Sequence, residues 1–176
     1  MAKDGFLARI TEWAERQPDI RTIVLTGSRA RDDGSVDETS DYDVEVFTTD
    51  RAKYETHAGW MEEIGDVWVY LPETRADDRY LMRLVVFEGG MKLDFALAPT
   101  TVLEEMVTEQ KLNSLCERGY AAFGRFNAGD AWPTLLATAS LFRDLAIETS
   151  EKLGHRYPHD VDRSISGYLR KFEGRF

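Results

Sequence analysis

The 176-residue chain has little cysteine, little histidine and no surplus of positive charge. Its single cysteine, Cys116, excludes an internal disulfide framework, and three scattered histidines lack the spacing of a zinc site. The 22 Lys and Arg residues are outnumbered by 32 Asp and Glu residues, which gives a formal net charge of -10. Because phosphate backbones are bound by a basic surplus, this balance argues against a nucleic-acid partner and favours a cationic ligand.

Long apolar runs are also missing. No segment has the roughly 18 apolar residues that a membrane span needs, and the opening MAKDGFLARITEWAERQ lacks the apolar centre of a secretory leader. We therefore expect a cytoplasmic protein without membrane association. With 43% hydrophobic and 31% charged residues, the chain has the composition of a folded globular protein rather than a disordered one.

The first hundred residues mix helical and strand patterns. Apolar residues at helical spacing predict an amphipathic helix between Asp4 and Pro18, and the runs RTIVLTG and DYDVEVF predict buried strands. A helix is predicted over residues 50–64. Further strands are predicted in VWVYL and on both sides of the turn Glu88-Gly89-Gly90, where glycine accepts positive φ.

From residue 100 onward the apolar spacing is helical, and a stripe runs from Leu135 to Leu153. The sequence thus predicts an α+β fold, with a mixed-sheet domain over residues 1–100 followed by a small helical C-terminal domain over residues 101–176. Trp60, Trp68 and Trp132 are expected to fill the core or the contact between these halves.

Three carboxylates stand out in the strand patterns. Asp41 and Asp43 are two residues apart, so their side chains share one strand face with Cα atoms about 6.5 Å apart. Because like charges repel, this pair requires either a solvated face near a sheet edge or a neutralising cation. Asp94 lies on the polar face of a later strand, and if the strands are neighbours the three acids converge. Such oxygen ligands suit Mg²⁺.

The Gly27-Ser28 pair follows the first strand and has two interpretations. Glycine lets the backbone approach a phosphate closely, and free N–H groups at a turn can receive its oxygens. Taken alone, the pair is more typical of a tight turn followed by a helix cap. Arg29, which comes next, could clamp a phosphate in bidentate fashion or lie at the surface.

The order of these features resembles the nucleotidyltransferase superfamily that includes DNA polymerase β. More closely, the chain resembles the streptomycin (aminoglycoside 6-) adenylyltransferase family in the segments GSRA, SDYDVEVF, GWMEEIGDVWVYLPE, VVFEGGMKLDFALAP and LFRDLAIETSEKLGHRYPHDVDRSISGYLRK. The resemblance covers the α/β half almost continuously and the last third more loosely. It differs in a shorter helical region between the final catalytic strand and the closing helices.

The resemblance implies Mg²⁺-dependent transfer of AMP from ATP to a hydroxyl of an aminoglycoside such as streptomycin, with release of pyrophosphate. The partners implied are a nucleoside triphosphate and a cationic small-molecule acceptor. By the same resemblance, Asp41 and Asp43 bridge two Mg²⁺ ions, and Asp94 ligates the ion nearer the attacking hydroxyl. Gly27, Ser28 and Arg29 are implied to bind the triphosphate and its leaving pyrophosphate.

The sequence indicates less about the acceptor of the transferred AMP group than about its nucleotide donor. Glu45, on the same predicted strand face as Asp41 and Asp43, is a candidate acceptor contact or base, or else a solvated strand residue. A protein hydroxyl or an RNA end is an alternative acceptor, although the net acidity weakens the RNA version. A noncatalytic nucleotide-binding relative is the third alternative.

Overall fold

The computed structural model describes residues 5–30, 36, 40–73, 79–113 and 120–125, the last of these by their backbone course. The predicted cap Asp4, Cys116, Trp132 and the stripe from Leu135 to Leu153 lie outside these residues. The helical C-terminal domain therefore stays a prediction over most of its length.

A six-stranded mixed sheet organises the described part, in the order β3-β4-β5-β2-β1-β6. Its strands are β1 (Ile20–Thr26), β2 (Tyr42–Thr48), β3 (Val67–Glu73), β4 (Leu81–Phe87), β5 (Lys92–Pro99) and β6 (Tyr120–Arg125). Only β2 and β5 pair in parallel, and all other neighbours are antiparallel. The predicted mixed sheet and α+β class are confirmed, and Gly89 and Gly90 in the β4–β5 turn have positive φ as expected.

The helices are α1 (Gly5–Arg16), α2 (Arg51–Thr56) and α3 (Thr101–Glu109). The single helix predicted over residues 50–64 is wrong, because α2 ends at an extended His57 and a separate 3₁₀ segment follows at Gly59–Glu63. A Cβ at Gly59 would lie 2.8 Å from Nε2 of His57, whose exposed side chain could rotate away. In the part of the chain that is described, no helix is long and apolar enough to cross a membrane.

One face of the sheet is covered by α1, α2 and the 3₁₀ segment, and it forms the core. The alternation predicted for β2 and β5 is confirmed, because the following side chains all belong to this core: Tyr42, Val44, Val46, Leu93, Phe95 and Leu97. Trp60 stacks on Trp13 with ring centroids 5.2 Å apart and meets Phe95 edge to face at 4.8 Å. The opposite face carries the alternate, more polar residues and is free of α1 and α2.

Two features of this sheet were not predicted from the sequence. Trp68 is 63% exposed, because β3 is the last strand on its side and its neighbours Val69 and Leu71 are exposed as well. Tyr120–Arg125 is a strand that pairs with β1, although the sequence predicted helices over residues 100–119 and after residue 130 and no strand between them. The segment YAAFGR has no period-two alternation, so its strand state depends on the available edge of β1 rather than on local preference.

A partly buried carboxylate, Asp19, ties the α1–β1 turn to the end of β2. Asp19 accepts hydrogen bonds from Thr48 Oγ1 at 2.8 Å, Lys53 Nζ at 2.7 Å and Tyr54 OH at 2.6 Å. Burial alone raises the pKa of Asp19, but these three donors and the charge of Lys53 outweigh it and hold that pKa below its usual value. The network fixes where β2 ends and α2 begins.

Candidate active site

Asp43 and Asp94 are direct neighbours in the sheet. In the parallel register of β2 and β5, Asp43 lies opposite Asp94, and on its other side Asp43 lies opposite Thr26 of β1. Both carboxylates are on the face away from the aromatic core, and both are only partly buried. Since adjacent strands are about 4.8 Å apart, the two acids share one small region of that face.

Gly27 provides the floor beneath one of these carboxylates. It follows β1 directly and has a φ of +70°, in the left-handed region that favours glycine. A Cβ at this position would overlap Asp43 Oδ2 and lie 2.8 Å from Asp43 Cγ. The glycine is therefore required both by its backbone angle and by the space that the Asp43 side chain occupies.

Asp41 immediately precedes β2, two residues before Asp43, and it forms an ion pair with Lys92. Its Oδ1 is 3.4 Å from Lys92 Nζ, and the two side chains are 39% and 50% exposed. Among the residues that the structure describes, no group of three or more His, Cys, Asp or Glu could hold a metal ion. The structure thus brings together Asp43 and Asp94, and it places Asp41 on the same side of the sheet beside Lys92.

Arg29 is held at the start of β2. It lies in the 3₁₀ turn Ser28–Ala30, and its guanidinium stacks on the ring of Tyr42, with Cζ 4.0 Å from the centroid. Its Nε and Nη2 donate to the carbonyl oxygen of Ser40 at 3.1 and 2.8 Å. These contacts hold Arg29 against the first residues of β2, and no direct contact between Arg29 and the Asp43–Asp94 pair is seen among the described residues.

A cavity of about 320 Å³ opens at this end of the sheet. Arg29 and Lys92 both line it, together with Tyr42 and the β4–β5 turn at Gly89 and Gly90. Two positively charged side chains therefore border one open space. Through Lys92 this space adjoins Asp41.

Glu45 occupies a different environment from the one expected. It is fully buried, with 0% of its surface exposed, and it accepts a hydrogen bond from Asn113 Nδ2 at 2.7 Å. The alternative of a solvated strand residue is wrong, because no surface of Glu45 is exposed. Its role as an acceptor contact or base stays a prediction. Asn113 follows α3, whose Met106 is buried and accepts from the Asn113 backbone N–H. No local signal pointed to Asn113, because it is 68 residues from Glu45 in sequence.

The donor set of this face fits a hard divalent cation. Mg²⁺ in proteins is held by one or two carboxylates and completes its octahedron with water and substrate phosphates. Asp43 and Asp94 supply two adjacent carboxylates, and the Gly27 turn brings backbone close to them. The residues present therefore fit a magnesium ion.

Two relatives found by sequence comparison are both named aminoglycoside 6-adenylyltransferase. The chain is 26% identical over 111 residues to an aminoglycoside 6-adenylyltransferase of Campylobacter jejuni, a match covering 60% of this chain and 38% of that protein. It is 28% identical over 103 residues to the enzyme of the same name from Bacillus subtilis (strain 168), covering 53% and 35%. The matched part of the chain thus spans little more than a third of the length of these relatives.

A crystal structure of an aminoglycoside 6-adenyltransferase from Bacillus subtilis is similar over 96% of this chain and 97% of that chain, with a TM-score of 0.43 and 16% identity. The sequence model of a family described as streptomycin adenylyltransferase matches residues 2–118 and 113–172. These two segments include Gly27, Asp43 and Asp94 and together cover almost the entire sequence. The chain belongs to the streptomycin adenylyltransferase family.

Proposed function

We propose that this chain carries the nucleotide-transfer site of a Mg²⁺-dependent adenylyltransferase. The reaction moves AMP from ATP to a hydroxyl of a cationic aminoglycoside such as streptomycin and releases pyrophosphate. The observation that carries the proposal is the placement of Asp43 opposite Asp94 on parallel strands, above the Gly27 turn, in a chain of this family.

Each residue of the site has a distinct task in this proposal. Asp43 and Asp94 hold the divalent cation, which supplies charge neutralisation for an in-line displacement at the α-phosphorus. Asp94 also orients the acceptor hydroxyl and accepts its proton. The N–H groups of the turn after Gly27 receive phosphate oxygens, and Asp41 adds a third carboxylate to the same face.

The proposed acceptor is a cation for an electrostatic reason. The chain has a net charge of -10, and acidic surfaces raise the local concentration of cationic ligands. Two relatives are named for transfer to aminoglycosides, which are polycations. These observations support an aminoglycoside more than an RNA end, whose phosphates such a surface repels.

The test is a transfer assay with labelled ATP. The chain is incubated with Mg²⁺, ATP labelled in its α-phosphate, and separate acceptors: streptomycin, other aminoglycosides, and an uncharged sugar as a negative control. We expect labelled aminoglycoside and pyrophosphate in equal amounts, lost on adding EDTA. Label on protein or RNA would instead identify the alternative acceptors, and ATP binding without any transfer would identify a noncatalytic relative.

Matched variants connect the activity to the site. Asp43→Asn and Asp94→Asn should each lower transfer at least about 100-fold, because each removes a metal ligand and keeps the side-chain shape. Asp66→Asn is the control, since Asp66 is an exposed carboxylate outside the pair. Normal turnover in either site variant would overturn the proposal.

A further inference from the structure

We propose that Lys92 is a nucleotide-binding residue whose ammonium group exchanges Asp41 for phosphate oxygens when a nucleotide and its metal bind. This inference rests on the proposed function and adds a residue that the sequence did not single out. It assigns the cavity between Arg29 and Lys92 to the phosphates of the donor.

The position of Lys92 follows from the sheet register. Lys92 precedes Asp94 by two residues on β5, so its side chain starts on the same face as that carboxylate. Tyr42 lies opposite Leu93, which places Asp41 and Lys92 side by side at the adjoining position. Lys92 is therefore the basic side chain nearest in register to the Asp43–Asp94 pair on this face of β5.

The ion pair that now holds Lys92 is weak enough to be exchanged. Its N–O distance is 3.4 Å, longer than the 2.7–2.9 Å or so of a good charge-assisted hydrogen bond. Both side chains are more than a third exposed, so water screens the attraction. A flexible lysine in such a pair loses little when a more highly charged partner becomes available.

The cavity lined by Arg29 and Lys92 has room for the phosphate groups of a nucleotide. Its volume of about 320 Å³ is at the lower end of small-molecule sites, which is sufficient for part of a nucleotide. Arg29 and Lys92 flank it, and Arg29 is already anchored by Ser40 and Tyr42. The turn at Gly89 and Gly90 has no heavy atom within 4 Å of where a Cβ would lie, so the backbone there is open. Positive charge and open space together suit phosphate oxygens.

The exchange gives Lys92 opposite effects on two ligands. A metal ion without nucleotide must compete with the ammonium group for Asp41, so Lys92 weakens binding of the bare ion. With nucleotide present, the ammonium group contacts phosphate, so Lys92 strengthens binding of the metal–nucleotide complex. A lysine that only neutralised Asp41 would weaken binding of the bare ion without strengthening binding of the metal–nucleotide complex. A lysine with a merely structural role would do neither.

The experiment measures both ligands on the same variants. Binding of Mn²⁺ alone is measured by electron paramagnetic resonance, and binding of ATP in the presence of Mg²⁺ by calorimetry. For Lys92→Met we expect Mn²⁺ to bind about twofold more tightly or better. We expect ATP to bind about tenfold more weakly. Lys92→Arg should restore most of the ATP affinity.

Arg79→Met is the matched control, because Arg79 is also an exposed basic residue in a surface ion pair, 2.7 Å from Glu105. It should change neither affinity. If Lys92→Met left ATP binding unchanged, or weakened Mn²⁺ and ATP binding alike, the exchange would be overturned while the proposed function stood. Absence of ATP binding by the unmodified chain would overturn both. Lys92→Gln repeats the measurement with a polar side chain should the methionine variant fail to fold.

Discussion

Gly27 lies directly beneath the Asp43 carboxylate, so that no side chain can be added at position 27 without moving that acid. Gly27→Ala should therefore cost stability and activity together. The left-handed φ of +70° alone costs a non-glycine residue about 1–2 kcal/mol. Displacement of Asp43 should in addition lower AMP transfer at least about tenfold, measured with urea unfolding and the transfer assay.

Gly89→Ala separates these two effects. Gly89 has a φ of +88°, but a Cβ there would meet nothing within 4 Å. This variant should lose a similar free energy of unfolding and keep most of its metal binding. Equal losses of Mn²⁺ affinity in both variants would show that backbone strain, and not the contact with Asp43, is responsible.

Ligand-induced stabilisation should depend on the carboxylate pair. A ligand that binds only the folded state raises stability by RT ln(1 + [L]/Kd), or about 2.7 kcal/mol at 100 times its Kd. ATP with Mg²⁺ should thus raise the melting temperature of the unmodified chain and leave that of Asp94→Asn nearly unchanged. Without ligands, Asp94→Asn should be as stable as the unmodified chain or more so, because it relieves repulsion with Asp43. A large intrinsic loss of stability would instead give Asp94 a structural role.

Asn113 should matter for stability although it lies far from Glu45 in sequence. Asn113→Ala removes a 2.7 Å hydrogen bond to a fully buried carboxylate, which should lower the free energy of unfolding by about 1–3 kcal/mol. Denaturant unfolding tests this, and an unchanged free energy of unfolding would contradict a stabilising role for the hydrogen bond.

The Asp19 network should give the protein part of its acid sensitivity. Burial raises the pKa of Asp19, but donors from Lys53, Tyr54 and Thr48 outweigh it, so the folded-state pKa lies below the unfolded value of about 3.9. The carboxylate therefore contributes stability above that pH, and the contribution is lost as the pH falls through the folded-state pKa. Asp19→Asn should cost about 1–3 kcal/mol at pH 7 and progressively less below about pH 4.

Tyr54→Phe provides a finer version of this test. It removes one donor at 2.6 Å and keeps the ring in its place between Trp13 and Trp60. The pKa of Asp19 should then rise, and the acid loss of stability should begin at a higher pH than in the unmodified chain. Unfolding curves measured between pH 3 and 7 would show this change. If stability were lost at the same pH as in the unmodified chain, the lowered pKa of Asp19 would be due to Lys53 and Thr48 instead.

The strands of the site could be predicted because their pattern is local. Alternation in β2 and β5 separates Val44 and Phe95, which enter the core, from Asp43 and Asp94 on the other face. The pairing of the two acids required only that these strands be neighbours. The sequence could not show that β2 and β5 are neighbours, because their parallel pairing depends on how the chain crosses over between them.

The unpredicted features all depend on distant partners. The strand at Tyr120–Arg125 forms against β1, and the burial of Glu45 depends on Asn113 beyond α3. The pairing of Asp41 with Lys92 follows from the β2–β5 register rather than from either local sequence. Where a residue's state is decided by tertiary contact, periodicity along the chain carries no information about it.

The parallel pairing of β2 with β5 has a consequence for how the molecule assembles. Residues 49–91 must be spanned before Asp43 can meet Asp94, so closing this loop is a long-range and late step. The amides at the centre of these two strands should exchange with deuterated solvent only when the whole sheet opens. The proposed divalent-ion site should consequently be absent from nascent or partly unfolded chains, so ion binding is expected to report completed folding.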